Sequence, residues 1–114
     1  MATPKLRGPY MLESGVIRSV VPPKVAGAYV VGAINPGGLG QIEAVGRADR
    51  DLAATLTSLI GVDSGFMFAT ASSAAEAFGM ECALYHEHKL AGRRAHPVAP
   101  ADSPGRCPIC EKAG

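Results

Sequence analysis

Apolar positions change rhythm three times along this chain, and each rhythm predicts a different element. The run Tyr29-Val30-Val31 is β-favouring and stops at Asn35-Pro36-Gly37-Gly38, where proline and glycine demand a turn. Gln41 to Arg47 then predicts a second strand returning beside the first, as a hairpin with a loop longer than the tight two-residue kind. From Asp49 to Ile60, the residues Leu52, Leu56, Leu59 and Ile60 recur at helical spacing, with Asp49 and Asp51 at the end that favours negative charge. Gly61 and Gly65 bracket the exit. Phe66 to Thr70 predicts a third strand with Phe66 and Phe68 on one face. Ser73-Ala74-Ala75-Glu76 has capping-box spacing and opens a second helix that runs through His88.

The two flanks lack such rhythm. Residues 1–23 carry Pro4, Pro9, Pro22 and Pro23 among scattered apolar residues, so they read as an arm whose one regular element is a short strand around Val16 to Val21. From Gly92 onward Pro97, Pro100, Pro104 and Pro108 forbid a continuing helix. The chain therefore divides into an N-terminal arm (1–23), an α+β domain (24–91) and a Pro-rich tail (92–114). The domain is expected to hold a small three-stranded antiparallel sheet flanked by helices.

Composition narrows the classes. With 47% apolar and 18% charged residues, the 114-residue chain has material for one core. A formal net charge of +1 provides no global field towards polyanions, so any such binding must be local. No run approaches the roughly 20 apolar residues of a membrane span. Lys5 and Arg7 have no apolar block behind them, so neither a leader nor a membrane partner is expected. Three cysteines do not make the even framework of a secreted scaffold, which points to the reducing cytoplasm.

Cys107-Pro-Ile-Cys110 lies where little else can impose order, and a tetrahedral Zn²⁺ held by two thiolates would supply that stability. Cys82 and His86, four apart on the second helix, project from one face and complete a Cys3His set. His96 is a fifth candidate. His88 is a weaker sixth, because it faces away from Cys82. Four of Cys82, His86, His96, Cys107 and Cys110 would ligate the ion. The alternatives are a buried apolar Cys82, a surface His86 and a redox C-x-x-C. The redox pair is disfavoured because Cys110 is four residues from the end and no helix follows it.

Gly27-Ala28-Tyr29, Ala44-Val45-Gly46-Arg47, Asp51-Leu52 and Glu76-Ala77 with Glu81 occur in the order and spacing of the GIY-YIG nuclease superfamily, which residues 24–91 resemble. Glu81-Cys82, Tyr85-His86, His96-Pro97 and the closing C-P-x-C are similar to a group of small bacterial proteins of this type with a cysteine-bearing C-terminus. The resemblance implies phosphodiester cleavage: Tyr29 as the first-motif tyrosine that activates water, and Glu81 as the carboxylate for Mg²⁺ or Mn²⁺. Two positions depart from the pattern. Ala44 stands where the second motif expects a tyrosine, and Thr55 where helix one is expected to carry an arginine. Losing one aligned donor typically costs on the order of 10²–10³ in rate. Arg47, and Arg50 beyond it, are the nearby cations that would substitute.

Three functions follow as expectations. The first is a catalytically degenerate GIY-YIG-like binding module, with nucleic acid as the implied partner and a structural zinc. The second is an active metal-dependent endonuclease using Tyr29, Arg47 and Glu81. The third is an assembly subunit that docks a protein or a second copy through Tyr10, Met11, Leu12, Ile17 and Val20 of the arm. Lys89, Arg93, Arg94 and Arg106 form a basic cluster that suits phosphates. Aromatic residues at 5%, with no Trp, make a stacking platform thin.

Overall fold

A computed structural model of the chain describes residues 5–62 and 64–87. In chain order the elements are β1 (Arg7–Met11), α1 (Ser14–Val20), β2 (Ala26–Asn35), β3 (Gly38–Ala48), α2 (Leu52–Thr57), β4 (Gly65–Ala71) and α3 (Ala74–Glu87). The strands form one antiparallel sheet in the order β1-β4-β2-β3, so the architecture is α+β. His88, Lys89, Arg93, Arg94, His96, Arg106, Cys107 and Cys110 lie outside the described residues, as does the whole 92–114 segment. Among the described residues, no helix is long and apolar enough to cross a membrane.

The sheet has four strands rather than the expected three, because Arg7–Met11 pairs with β4. Val16 to Val21 is not a strand: Ser14–Val20 is helical, closed by the Val21 amide donating to the Ile17 carbonyl at 2.9 Å. Burial decides this against the β preference of valine and isoleucine, since the helix places Ile17 at 0% exposure among Leu12, Val21 and Phe66. The hairpin loop is also tighter than expected. Asn35 pairs with Gly38, leaving Pro36 and Gly37 as a two-residue loop. Asn35 Oδ1 accepts from the Gly37 amide at 3.0 Å, and Gly38 takes a φ of +123° that favours glycine.

The pleat assigns alternate residues to opposite faces. Val31, Phe66 and Phe68 face α1 and α2, packing with Leu12, Ile17, Val21, Leu52 and Leu56. Ala28 and Val30 face α3, packing with Leu84, Met80 and Met67. α2 and α3 each start at a side-chain cap, whereas α1 has none. Asp51 Oδ1 accepts from the Ala54 amide at 3.1 Å at the head of α2. Ser73 Oγ accepts from the Glu76 amide at 3.1 Å, and Glu76 Oε1 accepts from the Ser72 amide at 2.8 Å, a reciprocal cap displaced by one residue. Gly27 lets α2 settle on the sheet, since a Cβ there would lie 2.7 Å from Leu52 Cδ2.

Because Ile17 is fully buried and Arg18 is exposed on the same helix, Ile17→Ala should lower the unfolding free energy by about 2–4 kcal/mol. Arg18→Ala should change it by less than about 0.5 kcal/mol. Urea titration followed by circular dichroism measures both, and equal effects would show that α1 does not carry the core.

Candidate functional site

The closing end of β3 and the middle of α3 meet through one arginine. Arg47 is opposite Ala28 in the β2–β3 register, so it emerges on the α3 face, where a small neighbour leaves room for a long side chain. Its Nη1 donates to Glu81 Oε1 at 2.7 Å and its Nε donates to Asp49 Oδ1 at 2.7 Å. The guanidinium carbon also lies 5.3 Å from the centre of the Phe78 ring, one turn before Glu81 on α3. Arg47 and Glu81 side chains are 14% and 12% exposed and Asp49 is 40% exposed. The inner pair is nearly dry and the outer one wet.

Burial alone would lower the pKa of Arg47, but the hydrogen bonds and charges of Asp49 and Glu81 outweigh it, and the net shift is upward. The guanidinium is thus locked in its charged form and engaged on two edges by carboxylates. Such an arrangement ties a strand end to a helix through charge-assisted hydrogen bonds. An incoming phosphate would compete for Arg47 with two carboxylates already bonded to it. Likewise, a divalent ion at Glu81 would compete with a cation already seated there. Among the described residues, no three or more His, Cys, Asp and Glu side chains converge as a metal cage.

Tyr29 lies on the other face. It is paired with Gly46 and packs with the α1–α2 core, as does Ala44. Its phenol lies across Gly46, where any Cβ would overlap Tyr29 Oη and Cζ. The hydroxyl is half-buried. Desolvation raises its pKa above the ordinary 10.0, and the negative charge of Glu81 adds to this. The structure therefore brings Arg47 and Glu81 together and sets Tyr29 on the other face of the sheet, where the charge of Glu81 still acts on its phenol.

Of the zinc candidates, Cys82 and His86 are described. They lie one turn apart on α3, Cys82 fully buried and His86 partly so. The rings of Tyr85 and His86 meet edge-to-face at 5.2 Å. Sequence reasoning missed Asp49 and Phe78 as partners of Arg47. The signal was present in Arg47-x-Asp49 at a strand end and in Phe78-x-x-Glu81 on one helix face. No protein-family model, no curated protein and no solved structure matches the chain.

Glu81→Ala should cost about 2–3 kcal/mol, because it strands a nearly buried cation. Asp49→Ala, at the exposed end of the same guanidinium, should cost less than about 1 kcal/mol. Thermal unfolding of the two variants checks the ranking, and a larger effect at Asp49 would contradict it.

The raised pKa of Tyr29 has a defined sign in stability. The unfolded chain ionises near the ordinary value while the folded chain resists. Stability from this residue is therefore intact below pH 10.0 and is lost as pH climbs from there through the folded pKa. Unfolding midpoints measured at a series of alkaline pH values should fall less steeply for Tyr29→Phe than for the parent chain.

Proposed function

We propose that this chain is a non-cleaving relative of the GIY-YIG nucleases that has kept the scaffold as a nucleic-acid-binding module. The observation that carries the non-cleaving half is the double engagement of Arg47 by Asp49 and Glu81. The cation that would have to replace the missing helix arginine is committed to holding β3 against α3. Ala44 and Thr55 supply no proton donor or positive charge in compensation. Tyr29 sits on the opposite face from Glu81, which separates the water-activating group from the metal-binding one in the chemistry the resemblance implies.

The binding half is supported by cations at the junction of β2 and α2. The Leu52 amide donates to the Val25 carbonyl at 2.8 Å, which joins the backbone segments that carry the exposed Lys24 and Arg50. Such a patch neutralises phosphates without reading bases, so affinity is expected to be modest and steeply salt-dependent.

Fluorescence anisotropy with labelled single- and double-stranded oligonucleotides tests this, run with Mg²⁺ and Mn²⁺ and followed by gel analysis of the same samples. The expected result is binding that weakens with salt, intact oligonucleotide, and at least a roughly tenfold loss of affinity in Lys24→Glu/Arg50→Glu. Cutting that requires the metal and disappears in Glu81→Ala overturns the non-cleaving half. Absence of salt-dependent binding to any oligonucleotide overturns the nucleic-acid half.

A further inference from the structure

The two margins of the sheet are guarded unequally. In the order β1-β4-β2-β3 each outer strand presents a row of amides and carbonyls, and another strand can pair with such a row unless short length, proline, a bulge or an outward charge prevents it. β1 is five residues long and contains Pro9, which has no N–H. β3 has eleven residues and neither proline nor lysine. Two register shifts interrupt it between Leu39 and Ala44, but residues 44–48 run opposite β2 without a break. The charge in that stretch, Arg47, is turned over α3 onto Glu81 and Phe78. Its midpoint is Gly46, where the Tyr29 ring crosses the strand and its hydroxyl reaches the position a Cβ would take. Among the described residues, β3 pairs with β2 alone, and Tyr29 Oη has no hydrogen-bond partner.

We propose that two copies of this chain pair through β3, antiparallel about a two-fold axis at Gly46, to form one continuous sheet. An axis normal to the sheet keeps every residue on its own face. Centred on the midpoint of the unbroken stretch, it pairs all of residues 44–48: Ala44 with Ala48, Val45 with Arg47, and Gly46 with itself. Residues paired in this way lie about 4.5–5.5 Å apart. The two phenol ends, each over its own Gly46, therefore meet at the axis, where one hydroxyl donates to the other. On the α3 face Val45 covers the stem of the other copy's Arg47. The two guanidiniums share a diagonal there, each balanced by its own Glu81 and Asp49. Moving the axis to Arg47 would set guanidinium against guanidinium, and moving it to Val45 would draw the shifted residues 42 and 43 into the pairing. A strand of unrelated sequence gains backbone hydrogen bonds, whereas a second copy also brings a second phenol to the axis.

Sedimentation velocity of the full chain under reducing conditions, from about 10 μM to about 1 mM, tests this. The expected result is a reversible shift from the mass of one chain to that of two. Val45→Lys sets a like charge against the other copy's Arg47 and should weaken dimerisation at least roughly tenfold, whereas Val45→Glu, a change of opposite sign at the same position, should not weaken it. Tyr29→Phe removes the hydroxyl pair and should weaken it about three- to tenfold. Circular dichroism checks that each variant is folded. A mixture of isotope-labelled and unlabelled parent chain provides a measurement that needs no variant: filtered NOE spectra should connect the Ala44 and Ala48 methyls of different copies. The mass of one chain at every concentration overturns the dimer. Equal dimerisation by folded Val45→Lys and Val45→Glu overturns the pairing through β3. So do cross-copy NOEs from Met11, Ile60 or Val62, the exposed large apolar residues, in place of residues 44–48. Undiminished dimerisation of Tyr29→Phe overturns the axis at Gly46.

Discussion

β2 is covered on both faces, and that constraint organises the rest of the molecule. A strand in this position has no side on which to place a polar group, so its middle must read as small and apolar throughout: Ala26, Gly27, Ala28, Val30 and Val31 are buried, and Tyr29 keeps only its phenol end towards the edge. Small residues let helices approach from both sides. Gly27 admits Leu52 of α2, and Ala28 gives room to the stem of Arg47. Bulk comes instead from the neighbours, above all Phe66 and Phe68 of β4, whose rings lie 6.0 Å apart with Tyr10 of β1 against both. The central strand is thin so that the layers around it can be thick.

Charge is consequently driven to the β3 edge. Arg47 carries a full charge from the sheet into contact with α3, with its guanidinium over Phe78 and two of its edges bonded to carboxylates. Taking an isolated guanidinium out of water is costly. Asp49 and Glu81 offset that cost, which is why the net effect on Arg47 is a stronger hold on its proton despite burial. The same charge balance explains a helix with only weak segregation of polar residues: α3 is held by the Leu84 contact at one level and by an ion pair at another, not by a simple apolar stripe.

Elements with a strong local signature were legible in the sequence. The Ser73–Glu76 spacing announced the start of α3, the turn residues at Asn35 to Gly38 announced the hairpin, and the Phe66/Phe68 alternation announced both β4 and its inward face. The N-terminal elements were not legible, for physical reasons. β1 is five residues long with Gly8 and Pro9 inside it, and it is a strand because β4 offers a free row of hydrogen-bonding groups to pair with. α1 has seven residues, too few for a helical period to stand out, and its Val16, Ile17, Val20 and Val21 favour extended backbone locally. Tertiary burial of Ile17 outweighs that preference. At the site, the Arg47–Glu81 pair joins positions 34 apart, a contact that spacing along one element cannot reveal.

The pleat also explains why the residues of the nuclease resemblance divide between two faces. From Gly27↔Ala48 to Val31↔Ala44 the β2–β3 register runs without a shift, so Tyr29, Ala44, Gly46 and Ala48 share one face and Ala28, Val45 and Arg47 share the other. Bringing Arg47 beside Tyr29 would take a one-residue slip of β3, and such a slip inverts every side chain on the strand. Arg47 and Val45 would then press into the space that Gly46 leaves for the Tyr29 ring and that Ala48 leaves beside Leu52 and Leu56. Two carboxylates would lose their cation in the same step. The packing that stabilises this fold is thus the same packing that keeps the phenol and the arginine on opposite faces of the sheet.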